Sequence, residues 1–305
     1  MIAFDLLLAG LILALAWRSL SSRDLFESVV VFIALGLMVA MAWVRLQAPD
    51  AALAEAAIGS GLAGALLLAT LSRLPLEQDA SARPFSWRWG VIGLGLALGL
   101  FLGLAQLPTH SQGLMPQVDA ALAQSGVTHP VTAVLLNFRA WDTLLELAVL
   151  AWAWFAQRAL NAGHTPHFAP LQGQVLQTVA KWLAPFILMV GAYLLWRGAA
   201  SPGGAFQAGA VLAAGLVIYS LAYRGGFVLG ASGLWLRLAW VGGFWLFALI
   251  GLIGAILGFG FMGYAPASAT SLILLIEVFA TLSIAFLLAA MFSGERLESA
   301  QGETK

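Results

Sequence analysis

Residues Asn137 to Glu146 read Asn-Phe-Arg-Ala-Trp-Asp-Thr-Leu-Leu-Glu, where a polar loop runs into an apolar helix that already carries charge. Arg139, Asp142 and Glu146 fall three and four residues apart, so a helix lays them along one face. An ionisable group inside hydrocarbon costs about 3 kcal/mol on insertion scales, so this face must look into protein or water. Two carboxylates four residues apart resist double ionisation, and one holds a proton unless Arg139 or a cation neutralises the pair. The competing reading is an Arg139–Asp142 pair that pins the start of the helix, with Glu146 satisfied by a Thr or a backbone carbonyl.

Other carboxylates lie in equally apolar surroundings. Asp50 follows Ala48-Pro49 and reads as an N-terminal helix cap, while Glu55 lies about one and a half turns further in. There desolvation lets a carboxyl exchange a proton or bind a cation if a partner is near; the alternative is a hydrogen bond to a neighbouring helix. Glu277 is the only charge between Arg237 and Glu295 and is flanked by Leu, Ile, Val and Phe, which makes it the most expensive residue of the chain to bury. It needs a partner from another helix or from a neighbouring protein, and it reads as a site for a proton or cation.

The elements that carry these groups follow from composition. Of 305 residues, 61% are hydrophobic and 9% charged, against roughly 25% charged in a soluble domain. The fold class is all-α, a polytopic integral membrane protein. The absence of cysteine excludes disulfides and thiolate metal sites, and zero net charge gives no footprint for nucleic acid. The first apolar run has no basic residue before it and carries Asp5, so it reads as a retained helix, not a cleaved signal. A bilayer core needs about 20 apolar residues per crossing. Nine segments qualify, at about 2–18, 25–46, 49–71, 88–107, 140–160, 178–197, 204–223, 235–258 and 268–292. With the N-terminus outside and the C-terminus inside, all of the 14 Lys and Arg except Arg45, Arg139 and Arg197 fall near cytoplasmic ends, which sets that orientation.

Within this topology the outer loop 108–138 contains Pro130 to Phe138, too short to span and expected to lie at the interface or fold against the bundle. A cytoplasmic linker over 161–177 divides a five-helix module, 1–160, from a four-helix module, 178–292, with a polar tail over 293–305. Arg23, Asp24 and Glu27 read as a solvated salt bridge at the cytoplasmic end, and Lys181 as a snorkelling residue there. His164 and His167 lack the spacing and third ligand of a metal site, and no metal is expected; His110 and His129 carry no role beyond pH-sensitive contacts. Gly95, Gly99 and Gly103, like Gly254 and Gly258, recur every four residues and predict close helix contacts. Ser201 to Gly209 opens a helix through Pro-Gly-Gly, with Gln207 about one turn inside. Its free N–H groups face either a polar cavity or a close-packed neighbour.

The run Arg23-Asp24-Leu25-Phe26 through Ala48-Pro49-Asp50 to Glu55 and Gly59 resembles the hydrogenase-type (MbhD/MbhE-like) membrane region that ends the A subunit of Mrp-type multisubunit cation/proton antiporters. Thr132 to Glu146 is similar to the next part of that region, with Asn137 where the family usually has Asp. Ser201 to Gly209 resembles the Pro-Gly-Gly-Gly-Phe-Gln signature of the antiporter B subunit (MnhB-like), with Ala205 replacing the third Gly, and Glu277 stands where that subunit often carries Asp. The resemblance covers nearly the whole chain, as an A-subunit tail fused to a B subunit.

That resemblance implies a membrane subunit of a complex exchanging Na⁺ or another monovalent cation for protons in a bacterial or archaeal cell membrane. The implied partners are the antiporter-like A and D subunits and the C, E, F and G subunits; no cofactor is implied beyond the transported ions. The chain is expected to be a transporter subunit, not an enzyme, since no Ser/His, His/Glu or paired-Asp constellation is visible. Glu55, Glu146 and Glu277, with Asp142 beside them, are expected to line an outward-opening path, supported by Arg139, Asp50, Asp24, Glu27, Lys181 and Gln207. Two alternatives stay open: a subunit of a hydrogenase-type redox-driven ion pump, and a purely structural docking subunit.

Overall fold

The computed structural model describes residues 2–71, 87–107, 113–160, 173–223 and 234–293. His110, His164, His167, most of the expected linker and the tail beyond Ser293 lie outside these residues. Among the described residues the chain is helical without strands. The elements are α1 (Ile2–Ser21), α2 (Leu25–Arg45), α3 (Pro49–Leu71), α4 (Trp87–Ala105), α5 (Met115–Leu122), α6 (from Pro130, ending at Phe138), α7 (Ala140–Leu160), α8 (Gln174–Arg197), α9 (Ala205–Ala222), α10 (Leu234–Ile256) and α11 (Pro266–Ser293). Each of the nine expected segments overlaps one of the long helices. Six helices, α1, α2, α3, α8, α9 and α11, are long and apolar enough to cross a membrane, so the chain is a multi-pass membrane protein.

Local chemistry sets several boundaries. Asp24 caps α2 by accepting a hydrogen bond from the Phe26 N–H at 2.8 Å, and Pro49 occupies the first turn of α3, where no N–H is required. Two helices widen into π-helical segments: α3 over Glu55–Leu62 and α6 over Val134–Phe138. The turn after α10 runs through Gly258 and Gly260, both at φ +85°, which glycine adopts without a steric penalty.

α11 is the hub. Its Ile273, Ile276, Ala280, Ile284 and Leu288 are buried, and it packs against α7, α8, α9 and α10. α1 and α2 form a hairpin tied at one end by Arg45 Nε to Asp5 Oδ1 at 2.8 Å and at the other by Arg18 to Glu27. Large apolar side chains point outward along α1, α4 and α8, the arrangement a hydrocarbon surround requires.

Some expectations need correction. Glu27 pairs with Arg18, not Arg23, and accepts from Ser22 Oγ at 2.6 Å, while Asp24 serves as the cap. A methyl at Gly95, Gly99 or Gly103 would meet nothing within 4 Å, so the α4 stripe makes no helix contact among the described residues. Gly254 packs against the carbonyls of the following turn, at Gly260 and Gly263, instead of another helix; Gly258 lies beyond the end of α10, where a methyl would meet nothing within 4 Å.

Candidate functional site

The two halves of the chain meet around a cavity of about 360 Å³. Asp50, Ala54 and Ile58 of α3, Thr132 and Leu135 of α6, and Thr143 and Glu146 of α7 line one side. Gly203 and Gly204 before α9, Gln207 within it and Glu277 on α11 line the other. Of the two placements expected for the short segment from Pro130, the structure has the second: it folds against the bundle as α6. Thr132 donates its hydroxyl to the Gly198 carbonyl, and the His129 N–H donates to Ala199 O at 3.1 Å.

Glu277 sits near the middle of the 28-residue helix α11 and is 2% exposed. Its Oε2 is buried with no hydrogen-bond partner among the described residues. The Pro-Gly-Gly run explains how the carboxylate fits. A methyl at either Gly198 or Gly204 would come within 3.0 Å of Glu277 Oε1, and one at Gly198 within 2.5 Å of Gly204 Cα. Gly203 and Gly204 also hold φ values of +153° and +105°, which side-chain-bearing residues rarely adopt. The start of α9 thus does both things its sequence allowed: it packs closely on the end of α8 and turns its first turn toward a polar group. A helix N-terminus next to a carboxylate favours negative charge there.

Asp50 is not the cap of α3. That position is Ala48, with no side-chain cap bond. The Asp50 carboxylate instead reaches across the bundle: Oδ1 accepts the Gly203 N–H at 3.1 Å and Oδ2 lies 2.9 Å from His129 Nε2. Gln207 Nε2 donates to the Asp50 carbonyl at 3.2 Å. His129, assigned only a pH-sensitive contact from its sequence, is therefore part of the junction. The His-Pro step before α6 was the visible signal, but nothing local named Asp50 as its partner.

The remaining candidates separate. Glu146 faces the cavity. Asp142 pairs with Arg139, Nη2 to Oδ2 at 2.6 Å, at the start of α7, and does not line it. Glu55 also lies elsewhere, so the expected three-carboxylate lining is not formed. Its side chain lies along its own helix; a methyl at Gly59 would sit 2.8 Å from Glu55 Cδ and one at Gly36 of α2 3.4 Å from Oε1. Glu55 thus faces the α2–α3 contact. Lys181 is exposed on α8, and Asn137 donates through Nδ2 to Ser125 O at 2.9 Å, a structural role.

A second junction closes the opposite end of α7. Trp154 and Trp240 meet edge to face with ring centroids 4.9 Å apart, Arg158 lies over the Trp154 ring, and Gln157 Nε2 donates to Met291 O at 2.6 Å.

Residues 10–76 match the MbhD family model, which describes the D subunit of MBH, and residues 175–297 match the domain related to the MnhB subunit of Na+/H+ antiporter. A probable K(+)/H(+) antiporter A/B subunit of Rhizobium meliloti (strain 1021) is 26% identical over 259 residues, covering 71% of this chain and 26% of the relative. The chain thus spans about a quarter of that relative's length. In the structure of the Mrp complex from Dietzia sp. DQ12-45-1b, one chain superposes with a TM-score of 0.76 at 22% identity, over 98% of this chain and 35% of that one. A chain of the membrane-bound sulfane sulfur reductase, an archaeal respiratory membrane complex, gives a TM-score of 0.56 at 24% identity, over 68% of this chain and 97% of that one. These two likenesses concern the fold. The MbhD match thus falls on α1–α3 and the MnhB-related match on α8–α11, so the chain is similar to an MbhD-type segment followed by an MnhB-related domain, in the order its motifs resemble.

Proposed function

We propose that this chain is a membrane subunit of a multisubunit monovalent cation/proton antiporter and that Glu277, with Glu146, contributes to the ion path. One observation carries the reading: Glu277 Oε2 is buried, lacks a partner among the described residues and belongs to a cavity that also reaches Glu146. A carboxylate oxygen held in that way takes whichever cation reaches it, a proton or an alkali metal ion, and exchange between the two is the elementary step of antiport. The MnhB-related domain supports the reading, as does the antiporter name of the Rhizobium relative. The carried ion is Na⁺ or K⁺, and no further cofactor takes part.

Because the chain spans 26% of that relative, most of the machinery belongs to other parts: antiporter-like A and D subunits, and the C, E, F and G subunits. The proposed setting is a bacterial or archaeal cell membrane, with nine crossings, the N-terminus outside and the C-terminus inside, and modules over 1–160 and 178–292. The chain serves transport and is not an enzyme. Asp142 neutralises Arg139 and Glu55 supports the α2–α3 contact, so neither carries ions in this scheme.

The test is cation-dependent proton movement in inverted vesicles holding the assembled complex at matched abundance. Glu277→Gln is expected to abolish exchange and Glu146→Gln to slow it, with assembly intact. Unchanged exchange, or loss only through failed assembly, makes the chain a scaffold. A redox-driven ion pump is the second reading, favoured by the fold shared with the sulfane sulfur reductase chain. Proton movement that requires an electron donor instead of a cation gradient would establish it.

A further inference from the structure

We infer that His129 and Asp50 form a proton relay into the Glu277 cavity, a proposal that rests on the ion-path reading of that cavity. Asp50 forms part of the cavity wall, whereas His129 does not line the cavity. The His129 side chain is 13% exposed and its Nε2 lies 2.9 Å from Asp50 Oδ2. The imidazole, the Asp50 carboxylate and the cavity with Glu277 therefore follow one another in that order.

The geometry fixes both partners. Gly203 N–H holds Asp50 Oδ1, which leaves Oδ2 for the imidazole. The His129 and Thr128 N–H groups both donate to Ala199 O, and Pro130 follows, so the loop cannot swing the ring away. One contact accommodates both positions of the proton: Nε2–H donating to an ionised Oδ2, or a protonated Oδ2 donating to neutral Nε2. Nδ1 of a neutral ring protonated at Nε2 takes a proton from water while the Nε2 proton passes to Oδ2, which leaves the neutral ring protonated at Nδ1. Asp50 passes the proton it gained through cavity water to Glu277, and the ring returns to its starting tautomer by giving up the Nδ1 proton to water as it takes one at Nε2. One proton enters for each one delivered, and about 360 Å³ accommodates several waters at about 30 Å³ each. Among the described residues Asp50 is the carboxylate that pairs with His129. The α8–α9 turn offers it backbone atoms, and Glu146 and Glu277 face the cavity behind Asp50.

The experiment uses inverted vesicles with the assembled complex, comparing His129→Gln, His129→Ala and Glu277→Gln at matched abundance. His129→Gln keeps a hydrogen-bond donor for Asp50 but carries no proton, and it should slow exchange by about 100-fold, the scale of a lost general acid–base group. His129→Ala leaves room for a free imidazole, and added imidazole should restore its rate without affecting the wild type. The relay is overturned if His129→Gln keeps the wild-type rate and pH profile while Glu277→Gln abolishes exchange, or if imidazole restores nothing to His129→Ala. Failure of both His129 variants to assemble assigns the residue to assembly and equally ends the relay. Unchanged exchange in Glu277→Gln removes the ion-path reading itself.

Discussion

Asp50 and Gly203, 153 positions apart, are joined by a hydrogen bond from the Gly203 N–H to Asp50 Oδ1 at 3.1 Å. This bond ties the first turn of α3, in the segment that matches MbhD, to the glycine pair that lies against Glu277 in the MnhB-related segment. The two matched segments are therefore mechanically continuous at the cavity.

Asp50→Ala should cost about 2–3 kcal/mol, the scale of hydrogen bonds to a charged group plus a stranded N–H. Asp50→Asn keeps an acceptor for Gly203 and should cost less. Thermal dissociation of the assembled complex separates the two variants; equal losses would mean that the Gly203 bond contributes little.

Gly59 gives Glu55 its room. Gly59→Ala puts a methyl 2.8 Å from Glu55 Cδ, so the carboxylate must turn aside, a cost that offsets the roughly 1 kcal/mol that Ala gains over Gly within a helix. In a Glu55→Ala background that gain should appear in full, so the double-mutant coupling should exceed about 0.5 kcal/mol. A coupling near zero would show that the carboxylate readily moves aside.

Much of this architecture is legible in sequence because hydrocarbon leaves few solutions. The apolar runs locate the helices, and the i, i+3 spacing of Arg139 and Asp142 yields the ion pair that the structure contains. Local patterns fail where the partner is distant. Asp50 looks like a cap because Pro49 precedes it, yet its partners lie 79 and 153 positions away. Glu55 and Glu277 look alike as lone carboxylates. Gly59 and Gly36 leave space for the first beside α2, and Gly198 and Gly204 leave space for the second at the cavity. Glycines at such spacings say that something approaches closely; they do not say what.

Glu277→Leu should raise stability while ending function. A buried, unpartnered carboxylate oxygen costs about 1–3 kcal/mol, and an apolar side chain of similar volume removes that cost. The expected signature is a complex that dissociates at a higher temperature and exchanges no protons. A destabilised Leu variant would mean that the carboxylate is satisfied by cavity water or by a group from a neighbouring protein of the complex.

Tyr264, in the turn between α10 and α11, has a buried hydroxyl without a partner among the described residues, and burial pushes its phenol well above the ordinary tyrosine range. An acid whose folded-state pKa exceeds its unfolded value binds more protons when folded. Its contribution is therefore intact below about pH 10, the unfolded tyrosine value, and is lost as pH rises past it. Tyr264→Phe removes both the stranded hydroxyl and this titration. The variant should match or exceed wild-type stability at neutral pH and lose less than wild type between about pH 10 and 11, where the free phenol ionises. Thermal dissociation measured across that range decides it: parallel curves for the two proteins would show that Tyr264 reaches water or a partner in the assembled complex.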